Sequence, residues 1–429
     1  MDYCDLFSGI GGISLALSGI VNTVLYCDHE KYCQQVLAAR MTDGSIDRAP
    51  IHGDIRTLHL GSGCKPVMIG GGFPCQDIST SGLQKGIIGG DRSSLFYEVV
   101  RLIDETPSVQ YVFLENVSNI IKCGMKEVVE ELAEKRGWTM QWTMKSAASL
   151  GAPHQRNRWF CLATRQDSKV VPIESEEPRG TWQVEHEPRI SFKPDVTKDP
   201  DPSFDPNWIA RCQALGNSVV PCVVRSAFIE LWNAAQDVGR IVKSLSAYTQ
   251  DVSNLDYPYP ESGIIFQGKF LGLEGKRTRT TTSVSICVAG ANMSALPTPR
   301  RGITHASAVT ERSVHDLPTV LLNSSVALDY IRDRLGSVPE KIMSVCVPNV
   351  NYIEWMMGYR PDWTRIYSEE PVKKKEYEYV SSHTKSRING MHIFMRENPG
   401  KDVRTIAAMW RELSDDDRTN YTKRAKSEH

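Results

Sequence analysis

Three stretches of the chain carry side chains suited to covalent and acid–base chemistry. Gly70-Gly71-Gly72-Phe73-Pro74-Cys75-Gln76-Asp77 follows the apolar run Val67–Ile69. A thiol at the carboxyl end of a parallel strand faces the crevice where such folds bind ligands. Pro74 fixes the backbone before the thiol, and the glycines permit a close approach by substrate. The competing reading is a buried structural cysteine, the common fate of a free thiol, and a polar glycine-rich loop argues against it. Glu115-Asn116-Val117 ends the run Val112–Leu114. A carboxyl emerging from a buried strand can donate a proton when its surroundings raise its pKa, although a lone acid there is more often a helix cap. His154-Gln155-Arg156-Asn157-Arg158 leads into Trp159–Ala163. Alternation at a strand entry sets the guanidinium groups of Arg156 and Arg158 on one side, where they either bind a phosphate or carbonyl oxygen or lie solvated on an edge.

A fourth stretch suits an anionic or nucleotide-like ligand. Asp5-Leu6-Phe7-Ser8-Gly9-Ile10-Gly11-Gly12 follows the first apolar run and opens a helix. Such a turn lets a ligand approach the backbone, and the helix N-terminus behind it attracts negative charge. Asp28, closing the run Val24–Cys27, stands about where ribose hydroxyls are held. Asp54 follows a third expected strand and is placed to accept from an adenine amino group. Both acids read equally well as helix N-caps.

These groups need a scaffold. Strand-like runs at Tyr3–Phe7, Thr23–Cys27, Val67–Ile69, Tyr111–Leu114 and Trp159–Ala163 alternate with helical stretches at Ile13–Ser18, Lys31–Arg40, Leu95–Ile103 and Met125–Arg136. Alternation of this kind predicts an α/β fold, a parallel sheet with helices on both faces. Residues 166–207 are rich in Glu, Pro, Asp and Lys and read as a loop or small insert. A helical pattern resumes over Trp208–Leu245. Residues 246–370 are mixed, with a strand-like stretch at Thr280–Ala289 and a helix at Val326–Leu335.

Length and composition bound the rest. With 429 residues, 41% hydrophobic and 24% charged, the chain reads as soluble and globular with two or three domains, which excludes wholesale disorder. It has no run of about 18 apolar residues, so no membrane span is expected. Met1–Asp5 lacks the basic start of a secretory signal. The 11 cysteines form no CxxC pair and no zinc spacing, so reduced thiols, no metal and a cytoplasmic or nuclear location are expected. The net charge is −1, yet residues 373–429 hold 13 Lys and Arg against 9 Asp and Glu. That asymmetry suits an anionic partner for the tail, or equally a solvated helix.

The ordered set DLFSGIGG (5–12), GGFPCQDIS (71–79), LENV (114–117), QRNR (155–158) and GNSVVP (216–221) resembles the DNA cytosine-5 methyltransferase family. The resemblance covers roughly residues 1–235. It implies a Rossmann-like fold that binds S-adenosyl-L-methionine and acts on double-stranded DNA. By that resemblance Cys75 is the nucleophile that adds to cytosine C6, Glu115 stabilises the adduct at N3, Arg158 holds the cytosine carbonyl oxygen, and Arg156 assists near the nucleophile. Asn116 is then a supporting residue. Phe7, Ser8, Gly9, Ile10 and Gly11 correspond to the family's methionine-side loop and Asp28 to its ribose acid. His29 and Asp54-Ile55 match the adenine contacts, while Pro74, Leu95, Asn217 and Ser218 complete the cofactor set.

The chain departs from the family's pattern after Arg158. A large recognition region usually precedes GNSVVP, but the interval 159–215 is short here. Leu296–Pro299 and Pro348–Tyr359 with Pro361–Thr364 resemble segments of phage-type members. The expected division is therefore a catalytic domain at 1–240, a mixed α+β recognition or accessory region at 246–370, and a small helical tail at 385–429. Residues 390–429 resemble a shortened HMG box, a minor-groove module. The resulting expectation is a monomeric, non-secreted DNA methyltransferase of viral type. An RNA cytosine-5 methyltransferase and a catalytically silent DNA-binding relative are the alternatives.

Overall fold

The structure is a computed structural model. It describes residues 1–61, 63–74, 95–174, 182, 189–192, 205–244, 249–251, 260–266, 269–271, 286–288, 291–293, 325–338, 342, 346–366, 414 and 420. The strands are β1 (Asp2–Leu6), β2 (Asn22–Cys27), β3 (Ile51–His52), β4 (Met68–Gly72), β5 (Tyr111–Val117), β6 (Thr139–Lys145), β7 (Arg158–Thr164), β8 (Ile190–Phe192), β9 (Thr249–Asp251), β10 (Gly263–Phe266), β11 (Lys269–Leu271), β12 (Ile286–Val288), β13 (Ala291–Met293) and β14 (Cys346–Pro348). Ten of them form one sheet in the order β3-β2-β1-β4-β5-β7-β6-β10-β11-β9. The neighbours from β3 to β5 are parallel, and β7 runs antiparallel between β5 and β6.

Helices cover both faces, which makes the fold Rossmann-like α/β. One core packs α1 (Gly12–Ala16), α2 (Lys31–Thr42), α6 (Trp208–Asn217) and α7 (Pro221–Ser244) against the sheet through residues such as Ile13, Leu37, Leu215 and Phe228. The opposite core packs α3 (Leu95–Glu105), α4 (Ile120–Cys123) and α5 (Met125–Val129), with Phe96, Leu102, Met125 and Val129 buried against Ile69 and Leu114. Strands covered on both faces carry mostly apolar runs, which is why β1, β2, β4, β5 and β7 are legible in the sequence. The strand β6 is not among the expected ones. Its Thr139, Gln141 and Thr143 are buried although polar, so no continuous apolar run marks it. Helix α5 also departs from its expected span: it ends at Val129 and continues as a π-turn over Glu130–Glu134. Trp208–Gln236 is long and apolar enough to suit a membrane, but most of it is buried inside the protein.

The expected division at residue 240 does not follow the packing. Strand β10 pairs with β6 and so extends the main sheet. The helix α9 (Val350–Met356) and the turn after it bury Ile353, Met356, Tyr359 and Trp363 in the same core as α1 and α2. A separate small cluster joins β8, β14 and α8 (Ser325–Leu335) through Ile190, Phe192, Ala327, Ile331 and Cys346. It thus unites a strand from the interval before GNSVVP with two elements from after it. The helix expected at Val326–Leu335 is present, and β12 falls inside the expected strand Thr280–Ala289. Cys75, Leu296–Pro299 and nearly all of the tail lie outside the described residues.

Candidate active site

Four chain segments meet at one edge of the sheet, where the order switches between β1 and β4. Open α/β sheets bind ligands at such a switch, outside the carboxyl ends of the strands. β1 ends there in the Phe7–Gly11 turn, β4 in Phe73-Pro74, and β5 in Glu115-Asn116. Because β7 is antiparallel, its first residue reaches the same edge, and Val117 pairs with Arg158.

That register places Arg158 Nε 3.0 Å from a Glu115 carboxylate oxygen. Glu115 is buried, and burial raises its pKa, opposed by the charges of Arg158 and Arg156. A carboxyl whose pKa is raised is a better proton donor than a free one. Gly72 leaves it room: a Cβ on Gly72 would lie 2.6 Å from Glu115 Oε2. A Cβ on Gly70 or Gly71 would run into the backbone of Phe113 or Leu6. The triple glycine therefore serves close strand packing and the carboxylate of Glu115. Asn116 Nδ2 donates to the Phe73 carbonyl (3.2 Å) and its Oδ1 accepts from the Val117 amide (2.8 Å), tying β5 to the segment before Cys75. Phe73 packs against Phe96 with the rings tilted by 42° and their centroids 5.3 Å apart, and Leu95 begins the helix that carries Phe96.

Arg156 behaves differently from Arg158. It lies before β7 with φ of 36°, so the alternation expected of a strand does not apply. Its buried guanidinium donates to the carbonyls of Gly216 (3.0 Å) and Ser218. Arg156 thus holds the GNSVVP loop, while Arg158 pairs with Glu115. Ser218 is buried and donates to the Leu215 carbonyl (2.9 Å), whereas Asn217 is exposed. Pro221 opens α7, where its missing N–H loses no hydrogen bond.

The glycine turn is held from below. Gly9 and Gly11 adopt φ of 54° and 80°, and Phe7 shares that left-handed region at 54°. A bulky residue held there is strained, a feature that concentrates at ligand sites. The Gly9 amide donates to Asp28 (2.7 Å), which also accepts from the Glu30 amide (2.8 Å). Burial raises the Asp28 pKa, and those two amides lower it. Asp28 does not cap α2, whose N-cap is Glu30. Asp54 does cap a short turn, accepting from the Arg56 amide (3.0 Å), and the Arg56 guanidinium grips it and lowers its pKa. Ile55 is buried in the core and His29 is exposed.

Sequence reasoning passed over Asp5, which is fully buried beneath the turn. Its carboxylate accepts from Ser14 Oγ (2.6 Å) and Tyr3 Oη (3.2 Å), and burial pushes its pKa up to about 7. Only its place at the end of an apolar strand could have marked it. Tyr359 and Trp363 were also missed as parts of this site; their signal lay in a distant segment.

These residues fit S-adenosyl-L-methionine. A Cβ on Gly9 would meet nothing within 4 Å, so the turn is open on that side. Each Asp28 oxygen accepts one amide and keeps a second lone pair for a hydroxyl.

Residues 1–202 match the family described as C-5 cytosine-specific DNA methylase. The Type II methyltransferase M.CviJI of Paramecium bursaria Chlorella virus IL3A is 30% identical over 233 residues, covering 53% of this chain and 58% of that protein. The Type II methyltransferase M.HhaI of Haemophilus parahaemolyticus is 29% identical over 181 residues, covering 41% and 53%. The chain thus spans little more than half the length of these relatives. Among solved structures, the S. pombe Dnmt2 methyltransferase aligns at 19% identity over 40% of this chain and 51% of that one, with a TM-score of 0.32.

Proposed function

We propose that this chain is a DNA (cytosine-5-)-methyltransferase. The match of residues 1–202 to the C-5 cytosine-specific methylase family carries this reading. The Glu115–Arg158 pair, with Glu115 in register beside Gly72, three residues before Cys75, supports it. The chemistry explains why these groups are needed. Cytosine C5 is too weak a nucleophile to be methylated unaided. The Cys75 thiolate adds to C6 and turns the C5–C6 double bond into an enamine-like nucleophile, the logic of covalent catalysis. Glu115, its pKa raised by burial, shares a proton with N3 and stabilises the charge that develops there. Arg158 donates to the cytosine carbonyl oxygen while its Nε keeps Glu115 in place. S-adenosyl-L-methionine, when bound, would supply an electrophilic methyl group for C5, with the thioether S-adenosylhomocysteine as the leaving group. Loss of the C5 proton then expels Cys75 and restores the aromatic ring.

The cofactor is held by Phe7, Ser8, Gly9, Ile10 and Gly11 on the methionine side, and Asp28 takes the ribose. His29, Asp54 and Ile55 take the adenine; Pro74, Leu95, Asn217 and Ser218 close the pocket. Arg156 acts through the Gly216–Ser218 backbone as a positioning residue. The substrate is double-stranded DNA with the target cytosine flipped out, since a stacked base keeps C6 from the thiolate. The β8–β14–α8 cluster and its flanks are the candidate recognition unit, and the tail adds sequence-independent DNA affinity. The protein acts as a monomer without a metal, and a viral origin agrees with the Chlorella virus relative. Transfer of a tritiated methyl group from S-adenosyl-L-methionine to duplex DNA tests the reading. Labelling of transfer RNA alone would favour the RNA alternative, and labelling of neither would favour a silent relative.

A further inference from the structure

The two loops assigned to the cofactor are pinned by a single segment, residues 349–364, some 130 residues or more beyond either of them in the chain. Trp363 Nε1 donates to the Ile10 carbonyl (2.9 Å), in the middle of the glycine turn. Tyr359 Oη donates to the Val219 carbonyl (3.0 Å), in the GNSVVP loop, and the same hydroxyl occupies the space a Cβ on Gly12 would need. Both side chains are buried, and their rings pack together with centroids 5.4 Å apart.

The segment is itself firmly held. Arg40 of α2 donates to the carbonyls of Asp362 (2.7 Å) and Trp363 (2.6 Å), with its guanidinium over the Trp363 ring. Arg211 of α6 bonds Glu354 (2.9 Å), Asp205 (2.9 Å) and Thr364 Oγ1 (2.8 Å), and Glu354 accepts from the Thr364 amide (2.7 Å). Buried His154 reaches the Met356 carbonyl at 2.9 Å. A buried polar network of this kind ties together the elements it joins.

The glycine turn needs such support. Phe7 is strained in it, and the cap residue of α1, Gly11, offers no side-chain hydrogen bond. Resting on the proposed function, we infer that Trp363 and Tyr359 are positioning residues for S-adenosyl-L-methionine: their two hydrogen bonds fix the opposed backbone walls of its pocket. Neither touches the reacting base, so they govern cofactor affinity and leave the chemical step alone.

The test compares Trp363→Phe and Tyr359→Phe, which keep a ring and remove only the donor, with Tyr32→Phe. Tyr32 donates to the Thr364 carbonyl (2.9 Å), so it ties the same segment to α2 without touching either loop. S-adenosylhomocysteine binding is measured by calorimetry, thermal midpoint by fluorescence, and KM and kcat by methyl transfer. The expected result is a five- to twentyfold rise in Kd and in cofactor KM for the two loop variants, with kcat within twofold. Tyr32→Phe should lower the thermal midpoint comparably and leave Kd unchanged. Equal Kd in wild type and both loop variants overturns the inference, as does a Kd shift of the same size in Tyr32→Phe. If Trp363→Phe does not fold, Tyr359→Phe decides alone. Wild-type protein without affinity for S-adenosylhomocysteine would sink the proposed function instead, and the inference with it.

Discussion

Asp5 has hydroxyl partners from Ser14 and Tyr3, and its pKa is lifted by burial from 3.8 to about 7. The folded protein therefore holds a proton that the unfolded chain releases. Its stabilising contribution is complete below about pH 3.8 and is lost as pH rises toward 7. The full loss is at most about 4 kcal/mol, at about 1.4 kcal/mol per pKa unit. Asp5→Asn, which cannot titrate, should flatten the fall in urea midpoint between pH 5.5 and 7.5; an unchanged fall would clear Asp5 of responsibility. Under the proposed function, the catalytic chemistry lies with other groups. Cys75→Ser should abolish methyl transfer and leave cofactor binding nearly intact, since the proposed mechanism makes the thiolate the nucleophile and assigns the cofactor chiefly to other loops. DNA carrying 5-fluorocytosine should trap wild type covalently but not this variant. Asp28→Ala should weaken cofactor binding by about 1–3 kcal/mol, because the Gly9 amide loses its acceptor. Calorimetry with an unchanged Kd would remove Asp28 from the site.

The strand β4 separates two uses of glycine that look alike in sequence. At Gly71 an added Cβ meets the Leu6 backbone, which cannot yield without breaking the pairing of β1 with β4. Gly71→Ala should therefore destabilise severely, by about 4 kcal/mol or more, as overpacked cores with displaced backbone do. At Gly72 the added Cβ meets only the end of the Glu115 side chain, which can rotate away. Gly72→Ala should fold with a thermal midpoint near wild type, yet lose turnover because Glu115 moves off Arg158 and off the base. Expression and melting of the two variants side by side check this; equal stability would mean that β4 relaxes more than its packing suggests. The antiparallel strand β7 gives the same lesson. A sequence run shows that a strand follows Arg158, but only the pairing of Val117 with Arg158 brings the guanidinium to Glu115.

Across the whole molecule, residues 350–363 pack into the core formed by the first part of the chain. Removal of residues 373–429 should weaken DNA binding and flatten its salt dependence, because each phosphate neutralised contributes a slope of about −0.9. Methylation of short duplexes should persist. Removal from residue 346 onward should instead give insoluble protein, since it strips Ile353, Met356, Tyr359 and Trp363 from the core. A soluble, active product of that second truncation would contradict the packing described here. The sequence by itself determined the alternating α/β pattern, the glycine turn and the order of the five motifs, because these depend on local periodicity and on residue types that few other roles require. It also singled out Glu115 and Arg158, which the fold pairs. It did not reveal Asp5 as a buried acid, Arg156 as a loop clamp, β6 as a strand or residues 349–364 as core. Arg156 and residues 349–364 rest on partners far along the chain, and Asp5 on the burial of its strand within the fold. Many of the partners are backbone carbonyls, such as those of Ile10, Ser218 and Val219, which every residue type carries and which leave no trace in sequence. Only the folded chain decides which donor reaches them.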